Sequence, residues 1–408
     1  MAGPRDEARE LRIGYLCDHD PADRGAYSGG NTRIYDALRA HVGQVDVLPQ
    51  HWFAAEPVRR AIRATPYRIQ LRAGWRLQLA LAPVIARGLS ELIARERYDV
   101  VFGAYSFHSL AHLRLPPSTV LAFTSDATPT TYRESKVGAA FGSYLGLSRH
   151  LDPWILRQEI RVFRSADLLF WPSDWLNDAA RRRYGLDPER SRTVPWGANI
   201  QAPATLPEPP AIGRDLPLRL LVIGRDWVAK GGPVAFEVMQ ALRARGVDAR
   251  LTVIGTTPPD AHRTEHVTVH SYLKKSNPEE LAIFEAALHD AHFLLQPSVE
   301  SYGFAFCEAS AYGLPSLCRK VGGIPVTDGV NGHALPPGAG VEDFAAQIVH
   351  YLDDPAAYRE LSLRSRREYE TRLNWDAWAR TVTDALRRKV AERAGAAPSA
   401  ERPASSRT

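Results

Sequence analysis

The order of the predicted elements constrains this chain more than any other feature, because short apolar strands alternate with helical segments and the pattern starts twice. The predicted strands cover residues 11–16, 45–48, 99–102, 119–124 and 167–171 and, after a Pro-rich segment, residues 218–223, 250–254, 267–270 and 292–295. A further short strand is predicted to lead into Gly322 and Gly323. Strands that alternate with helices form parallel, doubly wound sheets. The sequence therefore predicts an α/β fold with two Rossmann-like domains.

Proline marks the boundary between the two halves. Five prolines fall within residues 201–217, and this composition is typical of a linker. We expect an N-terminal domain over residues 1–200 and a second domain over residues 218–373. A helix is predicted over 374–394, and the Ala-, Pro- and Ser-rich residues 395–408 are expected to be disordered. The length of 408 residues agrees with two ordinary domains.

Composition is typical of a globular bacterial protein and excludes several other classes. Apolar residues make up 45% of the chain and charged residues 24%. The net charge of +5 comes mainly from Arg in an Ala- and Pro-rich chain, which indicates a GC-rich genome and not nucleic-acid binding. No apolar stretch approaches the roughly 18 residues of a membrane span. The mixed charges from Arg5 to Glu10 do not resemble a signal peptide, so the cytoplasm is the expected location.

The cysteines indicate neither a disulfide framework nor a zinc site. Cys17, Cys307 and Cys318 are odd in number, lie far apart and form no CxxC pair. Free cysteines are among the most buried residues in proteins. We therefore expect these three side chains to lie in the core.

The segment from Gln296 to Gly332 carries the pattern that is most informative about function. A predicted strand ends at a polar turn, Glu300 follows, and the next helix contains Glu308. The start of a helix favours a bound anion, because its backbone N–H groups are free and its dipole is positive there. A diphosphate suits such a site. The N–H groups expected to face it belong to Ser301, Tyr302, Gly303 and Phe304.

The two carboxylates of this segment are expected to act on one ligand. Glu300 and Glu308 are eight residues apart, about two helical turns, so they would point to the same side. Carboxylates accept hydrogen bonds from neighbouring hydroxyl pairs, so one could hold a sugar and the other a ribose. The alternative is that Glu300 is an ordinary first-turn acid and Glu308 a solvated one.

The segment resembles the donor-site signature of the retaining glycosyltransferases of family 4, which adopt the GT-B fold. Glu300 and Glu308 stand at the two Glu positions of the family's E-x7-E motif. Other residues that match the signature are Gly303, Gly313, Pro315, Gly322 and Gly323. Upstream, Arg225 and Lys230 match an Arg and a Lys that clamp the donor diphosphate in the family. Two cations would stabilise the charge that builds on that leaving group.

Two further segments resemble the family more weakly. Gly29 and Gly30 resemble a glycine pair that approaches the donor phosphates, although they could be simple turn glycines. Residues 192–199 resemble a V-P-N-G turn near the domain junction. The resemblance extends over about residues 11–390 and is strongest over residues 218–333.

One position departs from the family pattern. Family members commonly have a His after the strand that corresponds to residues 119–124, where this chain has Ser125 and then Asp126. Asp126 could contact the acceptor or a hydroxyl of the donor sugar, or it could cap the following helix. His108, which follows the preceding strand, is a second candidate for catalysis, with a structural role as the alternative.

The resemblance implies transfer of a hexose, with retention at the anomeric carbon, from a nucleoside-diphosphate sugar to an acceptor hydroxyl. The acceptor would be a small molecule, a glycan or a lipid-linked molecule. Glu300 would orient the hexose and Glu308 the ribose, and the base would lie near Tyr272 and Leu273. No metal or other cofactor is expected, because the two basic residues that match the family's clamp would neutralise the diphosphate.

Other functions remain open at the level of sequence. A dinucleotide oxidoreductase is disfavoured, because no G-x-G-x-x-G follows the first strand. A catalytically silent sugar-binding homologue would fit the absent His. The segment 57–97 holds nine Arg against Glu91 and Glu96. This segment could contact an anionic membrane at its inner face, present a solvated helix face or bind an anionic acceptor.

Overall fold

The computed structural model describes residues 10–140, 146–206 and 208–396. The strands within these ranges are β1 (Leu11–Leu16), β2 (Gly43–Val47), β3 (Val100–Ala104), β4 (Val120–Thr124), β5 (Leu168–Trp171), β6 (Ser191–Thr193), β7 (Leu218–Ile223), β8 (Ala249–Ile254), β9 (Val267–His270), β10 (Phe293–Gln296), β11 (Ser316–Arg319) and β12 (Gly332–Leu335).

The helices in the same ranges follow most of these strands. In the first half they are α1 (Gly30–His41), α2 (Glu56–Arg63), α3 (Tyr67–Ala80), α4 (Ala82–Glu96), α5 (Phe107–Leu110), α6 (Pro129–Glu134), α7 (Lys136–Ala140), α8 (Asp152–Ser165) and α9 (Asp174–Tyr184). In the second half they are α10 (Gly232–Ala244), α11 (Pro278–Asp290), α12 (Phe304–Ala311), α13 (Val341–Asp353), α14 (Pro355–Thr371) and α15 (Trp375–Ala396).

The strands form two parallel six-stranded sheets, which confirms the predicted doubly wound α/β class. The first sheet has the order β2-β1-β3-β4-β5-β6, and the second has the order β12-β11-β10-β7-β8-β9. Every residue of β3, β4 and β5 is buried, because helices cover both faces of a parallel sheet. The edge strands β6 and β12 were not predicted, since they are short and contain few apolar residues.

Asn31 precedes the helical spacing of Ile34 and Leu38, which predicts that it caps the first helix, and this prediction is wrong. The cap is Gly29, two residues earlier, whose φ of 86° places it in the left-handed region, and α1 begins at Gly30. The Tyr15 hydroxyl donates to Oδ1 of Asn31 at 2.6 Å, and Nδ2 of Asn31 donates to the His19 carbonyl at 3.0 Å. The Asn31 side chain therefore ties β1 to the loop that follows it.

The last helix packs on the first sheet although it follows the second in sequence. Trp378 of α15 is buried against the first-sheet core, and Nη2 of Arg393 lies 2.7 Å from Oδ1 of Asp167. Helix α15 includes residues 395 and 396, so the prediction of disorder is wrong for these two. The rest of the predicted tail lies outside the described residues.

The Arg-rich segment 57–97 forms most of α2 and all of α3 and α4, and the last two of these lie beside α5 in the first half. Part of its charge is paired locally, since Nη1 of Arg59 lies 2.8 Å from Oε1 of Glu56. None of the helices described is, on its own, both long enough and apolar enough to cross a bilayer. Residues Ala73–Ala80 and Ala82–Glu96 meet these criteria only as a pair, and they are bent by 71°.

Candidate active site

A cleft of about 830 Å³ lies between the two sheets and is lined from both. Doubly wound sheets bind ligands beyond the carboxyl ends of the strands, where the strand order reverses. This reversal falls between β1 and β3 in one sheet and between β7 and β10 in the other, and the loops after these strands line the cleft. The predicted site residues that line it are Gly29, Asp126, Arg225, Lys230, Tyr272, Leu273, Glu300, Ser301, Tyr302, Gly303, Phe304 and Glu308.

Glu300 and Lys230 form the central ion pair of the cleft. The ammonium of Lys230 donates to Oε1 of Glu300 at 2.5 Å, and Nε2 of Gln296 donates to the same oxygen at 3.2 Å. Glu300 is 5% exposed. The loop that carries Lys230 packs tightly on the end of β10, since a Cβ on Gly231 would lie 2.5 Å from the Pro297 carbonyl oxygen. A cation and a carboxylate are thus held together at the ends of β7 and β10.

A second ion pair lies at the other carboxylate. Glu308, which is 2% exposed, accepts a hydrogen bond from the Lys275 ammonium. The same ammonium lies 4.3 Å from the ring centre of Phe284. Lys275 was not predicted as a site residue. The sequence does carry a signal for Lys275, because only six of the 51 Lys and Arg residues are Lys. Two of these six, Lys274 and Lys275, stand together soon after β9.

The two carboxylates do not lie on one helix, and the prediction of two helical turns between them is wrong. Helix α12 begins at Phe304, after Gly303 with a φ of 91°, so Glu300 precedes it. Glu300 instead forms an isolated parallel bridge with Gly322. The turn between Glu300 and the helix brings both carboxylates to the same cleft.

Arg225 lies at the rim of the cleft. Its side chain is exposed, and its guanidinium carbon lies 5.5 Å from the ring centre of Tyr272. Tyr272 is 52% exposed, which is unusual for a large aromatic ring and leaves its face available to a flat ligand. Arg225 and Tyr272 therefore place a charge and an aromatic surface on the same wall.

The loop after β1 forms the facing wall and is strained. Tyr27, Ser28 and Gly29 have φ values of 50°, 56° and 86°, and non-glycine residues rarely adopt such values. The Tyr27 ring stacks on Tyr105 with centres 3.9 Å apart, and Nδ2 of Asn199 donates to the Ser28 carbonyl at 2.8 Å. Backbone strain of this kind is concentrated at functional sites. No local sequence pattern indicated Tyr27 or Tyr105, whereas Asn199 ends the segment 192–199 that resembles a family turn.

Gly30 does not line the cleft, and the structure shows a packing reason for a glycine there. A Cβ at this position would lie 2.1 Å from the Tyr105 hydroxyl and 2.8 Å from Cζ of Phe304. Tyr105 belongs to the first half and Phe304 to the second. Gly30 thus permits close contact between the two walls.

Asp126 reaches across the cleft to the second half of the chain. Its Oδ2 accepts a hydrogen bond from the Ser301 hydroxyl at 2.6 Å. Burial raises the pKa of Asp126, and the negative charge of Glu300 raises it further. Asp126 does not cap the following helix, because the hydroxyl of Thr128 accepts from the Thr131 N–H. The carboxylate is therefore available to a ligand.

His108 lies behind the wall of the cleft and does not line it. It is 6% exposed, and its Nε2 lies 3.5 Å from Oδ2 of Asp18. Burial alone would raise the pKa of Asp18, but the neighbouring imidazoles of His108 and His19 hold it well below its usual range. The Tyr27 hydroxyl donates to Asp18 at 2.9 Å. Any effect of His108 on the cleft would pass through Asp18 and Tyr27.

A buried carboxylate anchors the loop that carries Asp126. Glu159 of α8 is fully buried and accepts hydrogen bonds from the Thr130 N–H, at 2.9 Å, and from the Thr130 hydroxyl. Tyr184 lies 2.6 Å from the neighbouring Thr128 hydroxyl. Burial raises the pKa of Glu159 to about 7, against the lowering effects of Thr130 and Arg183.

Glu159→Gln is expected to remove a pH dependence of stability. Because the folded pKa lies above that of the unfolded chain, the folded state keeps a proton that the unfolded state loses between about pH 4.5 and 7. The free energy of unfolding of the wild type should fall over this window, by up to about 3 kcal/mol relative to Glu159→Gln. Urea denaturation at several pH values, followed by Trp fluorescence, measures this difference. Glu237 is exposed, so the free energy of unfolding of Glu237→Gln should change with pH as that of the wild type does. A difference in unfolding free energy between the wild type and Glu159→Gln that stays constant with pH would contradict the expectation.

The three cysteines lie in the core, as predicted. Cys17, Cys307 and Cys318 are all buried, and their thiols are free. Across residues 10–140, 146–206 and 208–396, no group of three or more His, Cys, Asp or Glu is placed to hold a metal ion.

Comparison with known families and proteins agrees with this geometry. Residues 217–354 match the family model Glycosyl transferases group 1, and residues 27–202 match Glycosyltransferase Family 4. A D-inositol 3-phosphate glycosyltransferase of Kribbella flavida is 28% identical over 254 residues, covering 58% of this chain and 59% of that protein. A second such enzyme, from Catenulispora acidiphila, is 25% identical over 327 residues, covering 73% and 67%. The chain thus spans about three fifths to two thirds of these relatives.

Solved structures show the same architecture. Sucrose-phosphate synthase from Thermosynechococcus elongatus superposes with a TM-score of 0.61 at 20% identity, over 94% of this chain and 100% of that chain. Anabaena HepE in complex with UDP and glucose gives a TM-score of 0.56 at 14% identity, over 92% and 99%. These likenesses show the GT-B fold. The two family matches span both of its sheets, and the chain therefore belongs to the family 4 glycosyltransferases.

Proposed function

We propose that this glycosyltransferase moves a hexose-type sugar from a nucleoside-diphosphate sugar to an acceptor hydroxyl, with retention at the anomeric carbon. The observation that supports this most is the Lys230–Glu300 ion pair at the ends of β7 and β10, with Arg225 on the same wall. Cations suit a diphosphate and a buried carboxylate suits sugar hydroxyls. The cleft brings both groups together at the switch point where this fold binds ligands.

The donor would lie along the second-half wall. The diphosphate would face Lys230, Arg225 and the start of α12, whose dipole favours negative charge. The hexose would lie beside Glu300, and the ribose would face Glu308. The exposed ring of Tyr272 offers a surface for the base. Anabaena HepE, a structural neighbour, is described with UDP and glucose, which supports a donor of this class.

Donor binding requires the carboxylates to exchange partners. In the structure Lys230 neutralises Glu300, and Lys275 neutralises Glu308. A diphosphate would draw Lys230 away, and the released oxygens of Glu300 would then accept hydrogen bonds from the sugar. The two lysines thus keep the carboxylates paired before the donor enters, because an unpaired buried charge is unfavourable.

Transfer would use the departing diphosphate as the base. The acceptor oxygen forms a bond to the anomeric carbon on the face from which the phosphate oxygen leaves, which retains the configuration. The proton of the acceptor hydroxyl passes to that phosphate oxygen, and the products are the glycosylated acceptor and the nucleoside diphosphate. Lys230 and Arg225 stabilise the charge that develops on the leaving group. The cleft would supply the rest of the rate enhancement by holding the acceptor hydroxyl and the anomeric carbon in the orientation for reaction.

The acceptor would enter from the first-half wall, near Tyr105 and Asp126, which line the cleft opposite Glu300. A small molecule, a glycan or a lipid-linked molecule with a free hydroxyl fits this proposal. Two curated relatives carry the name D-inositol 3-phosphate glycosyltransferase, so an inositol phosphate belongs among the acceptors to test.

A thermal-shift panel tests the donor class. UDP-, GDP-, ADP- and dTDP-glucose are added to the wild type, and the matching base should stabilise the fold by about 2.7 kcal/mol at a concentration near 100 times its Kd. If none of the four raises the melting temperature, the proposal is wrong. A catalytically silent homologue would bind the donor but show neither transfer nor slow hydrolysis, so release of the nucleoside diphosphate separates the two functions.

A further inference from the structure

Carboxylates from both walls line the cleft, Asp126 on the first-half wall and Glu300 on the second-half wall. Asp126 accepts from the Ser301 hydroxyl at 2.6 Å, and Ser301 is the next residue after Glu300. Glu300 is close enough that its charge helps to raise the pKa of Asp126, after burial. Both side chains line the cleft. A ligand placed here meets two acidic groups within one partly desolvated space.

Two lysines on the second-half wall are already paired with carboxylates. Lys230 is bonded to Glu300, Lys275 to Glu308, and Arg225 lies at the rim against Tyr272. In the part of the chain that the structure describes, no Lys, Arg or His forms an ion pair with Asp126. When the diphosphate draws Lys230 away, the sugar would therefore face two carboxylates, neither of which is then in an ion pair.

We propose that Asp126 is a specificity-determining residue that excludes donors whose sugar carries a carboxylate and favours neutral hexoses. The inference rests on the proposed function, because it places the donor sugar between Asp126 and Glu300. Hydroxyls of a neutral hexose donate hydrogen bonds to both acids. A hexuronate brings a third negative charge that can donate nothing, and like charges in such a space strongly disfavour binding.

Titration calorimetry with UDP, UDP-glucose and UDP-glucuronate tests the proposal on the wild type and on Asp126→Asn. Asparagine keeps the size of the side chain and an oxygen for Ser301, but it removes the charge. The wild type should bind UDP-glucuronate about 100-fold more weakly than UDP-glucose. In Asp126→Asn this difference in affinity should fall to about 10-fold or less. Asp178→Asn removes an exposed carboxylate of α9 that does not line the cleft, and it should leave this difference in affinity unchanged.

The outcomes separate the inference from the function on which it rests. The role of Asp126 is overturned if the wild type binds UDP-glucose and UDP-glucuronate equally, or if Asp126→Asn keeps the wild-type ratio of their affinities. Neither result would contradict the proposed donor site. If the thermal-shift panel shows that the protein binds guanosine donors, the calorimetry uses GDP, GDP-mannose and GDP-mannuronate in place of the uridine compounds. Failure of the nucleoside diphosphate and the neutral donor to bind the wild type in the selected series overturns the proposed function itself.

Discussion

Lys230→Ala is expected to lower kcat for sugar transfer by about 10²–10³-fold while the protein stays folded. The Lys230 ammonium is the cation nearest to Glu300, at 2.5 Å, and its side chain is 19% exposed towards the cleft. Without it, the negative charge on the departing diphosphate would lose a fixed partner in the transition state. Single-turnover transfer with saturating donor measures the chemical step, and circular dichroism reports the fold.

A matched control keeps this test specific. Lys389→Ala removes another lysine, which lies on α15 and pairs with Glu392 at 2.9 Å, outside the residues that line the cleft. This variant should transfer sugar at the wild-type rate. Glu300→Gln should behave like Lys230→Ala, because it removes the carboxylate proposed to hold the hexose. Wild-type kcat in either cleft variant would mean that the assigned site is wrong.

Gly322→Ala is expected to reduce transfer by about 100-fold or more and to destabilise the protein by about 2–4 kcal/mol. Gly322 has a φ of 75°, and a Cβ there would lie 1.9 Å from the carbonyl oxygen of Glu300. The obstructing atom is backbone, so relief requires movement of the segment that positions Glu300. Misplacement of a reacting group by about 1 Å can cost about 10²-fold in rate. Steady-state kinetics and thermal unfolding measure the two effects.

Gly329 offers a control with almost the same backbone. Its φ is 70°, but no atom lies within 4 Å of the position that a Cβ would occupy. Gly329→Ala therefore introduces the left-handed strain without the collision, and it should cost about 1 kcal/mol with kcat close to that of the wild type. If the two alanine variants had the same kcat, the contact between Gly322 and Glu300 would have no role in positioning the site.

The fold was largely predictable because its information is local. Apolar runs such as Leu11–Leu16 and Leu218–Ile223 coincide with observed strands, since buried parallel strands require continuous apolar side chains. Strands β6 and β12 escaped prediction because edge strands have only one neighbour and tolerate polar residues. Asn31 was misread as a cap because its side chain bonds to Tyr15, and such a partner is set by tertiary structure.

The site was predictable where residues match a local motif of the family. Lys230 and Glu300 match such motifs, and the structure brings them together because the carboxyl ends of neighbouring parallel strands meet at one edge of a sheet. The bond between Asp126 and Ser301 joins residues 175 positions apart, and no local pattern encodes it. The same holds for the Tyr27–Tyr105 stack, which depends on how two loops meet.

The position of α15 has a consequence for how the protein is made. This helix covers the first sheet with Trp378, Val382 and Leu386, all nearly or fully buried, yet it is synthesised only after the whole second sheet. At about 5–20 residues per second, the ribosome needs roughly 10–40 s to extend the chain from the first sheet to this helix. During that interval the nascent first half exposes the apolar surface that α15 later covers. A chaperone that binds such surface during translation should therefore raise the yield of native enzyme.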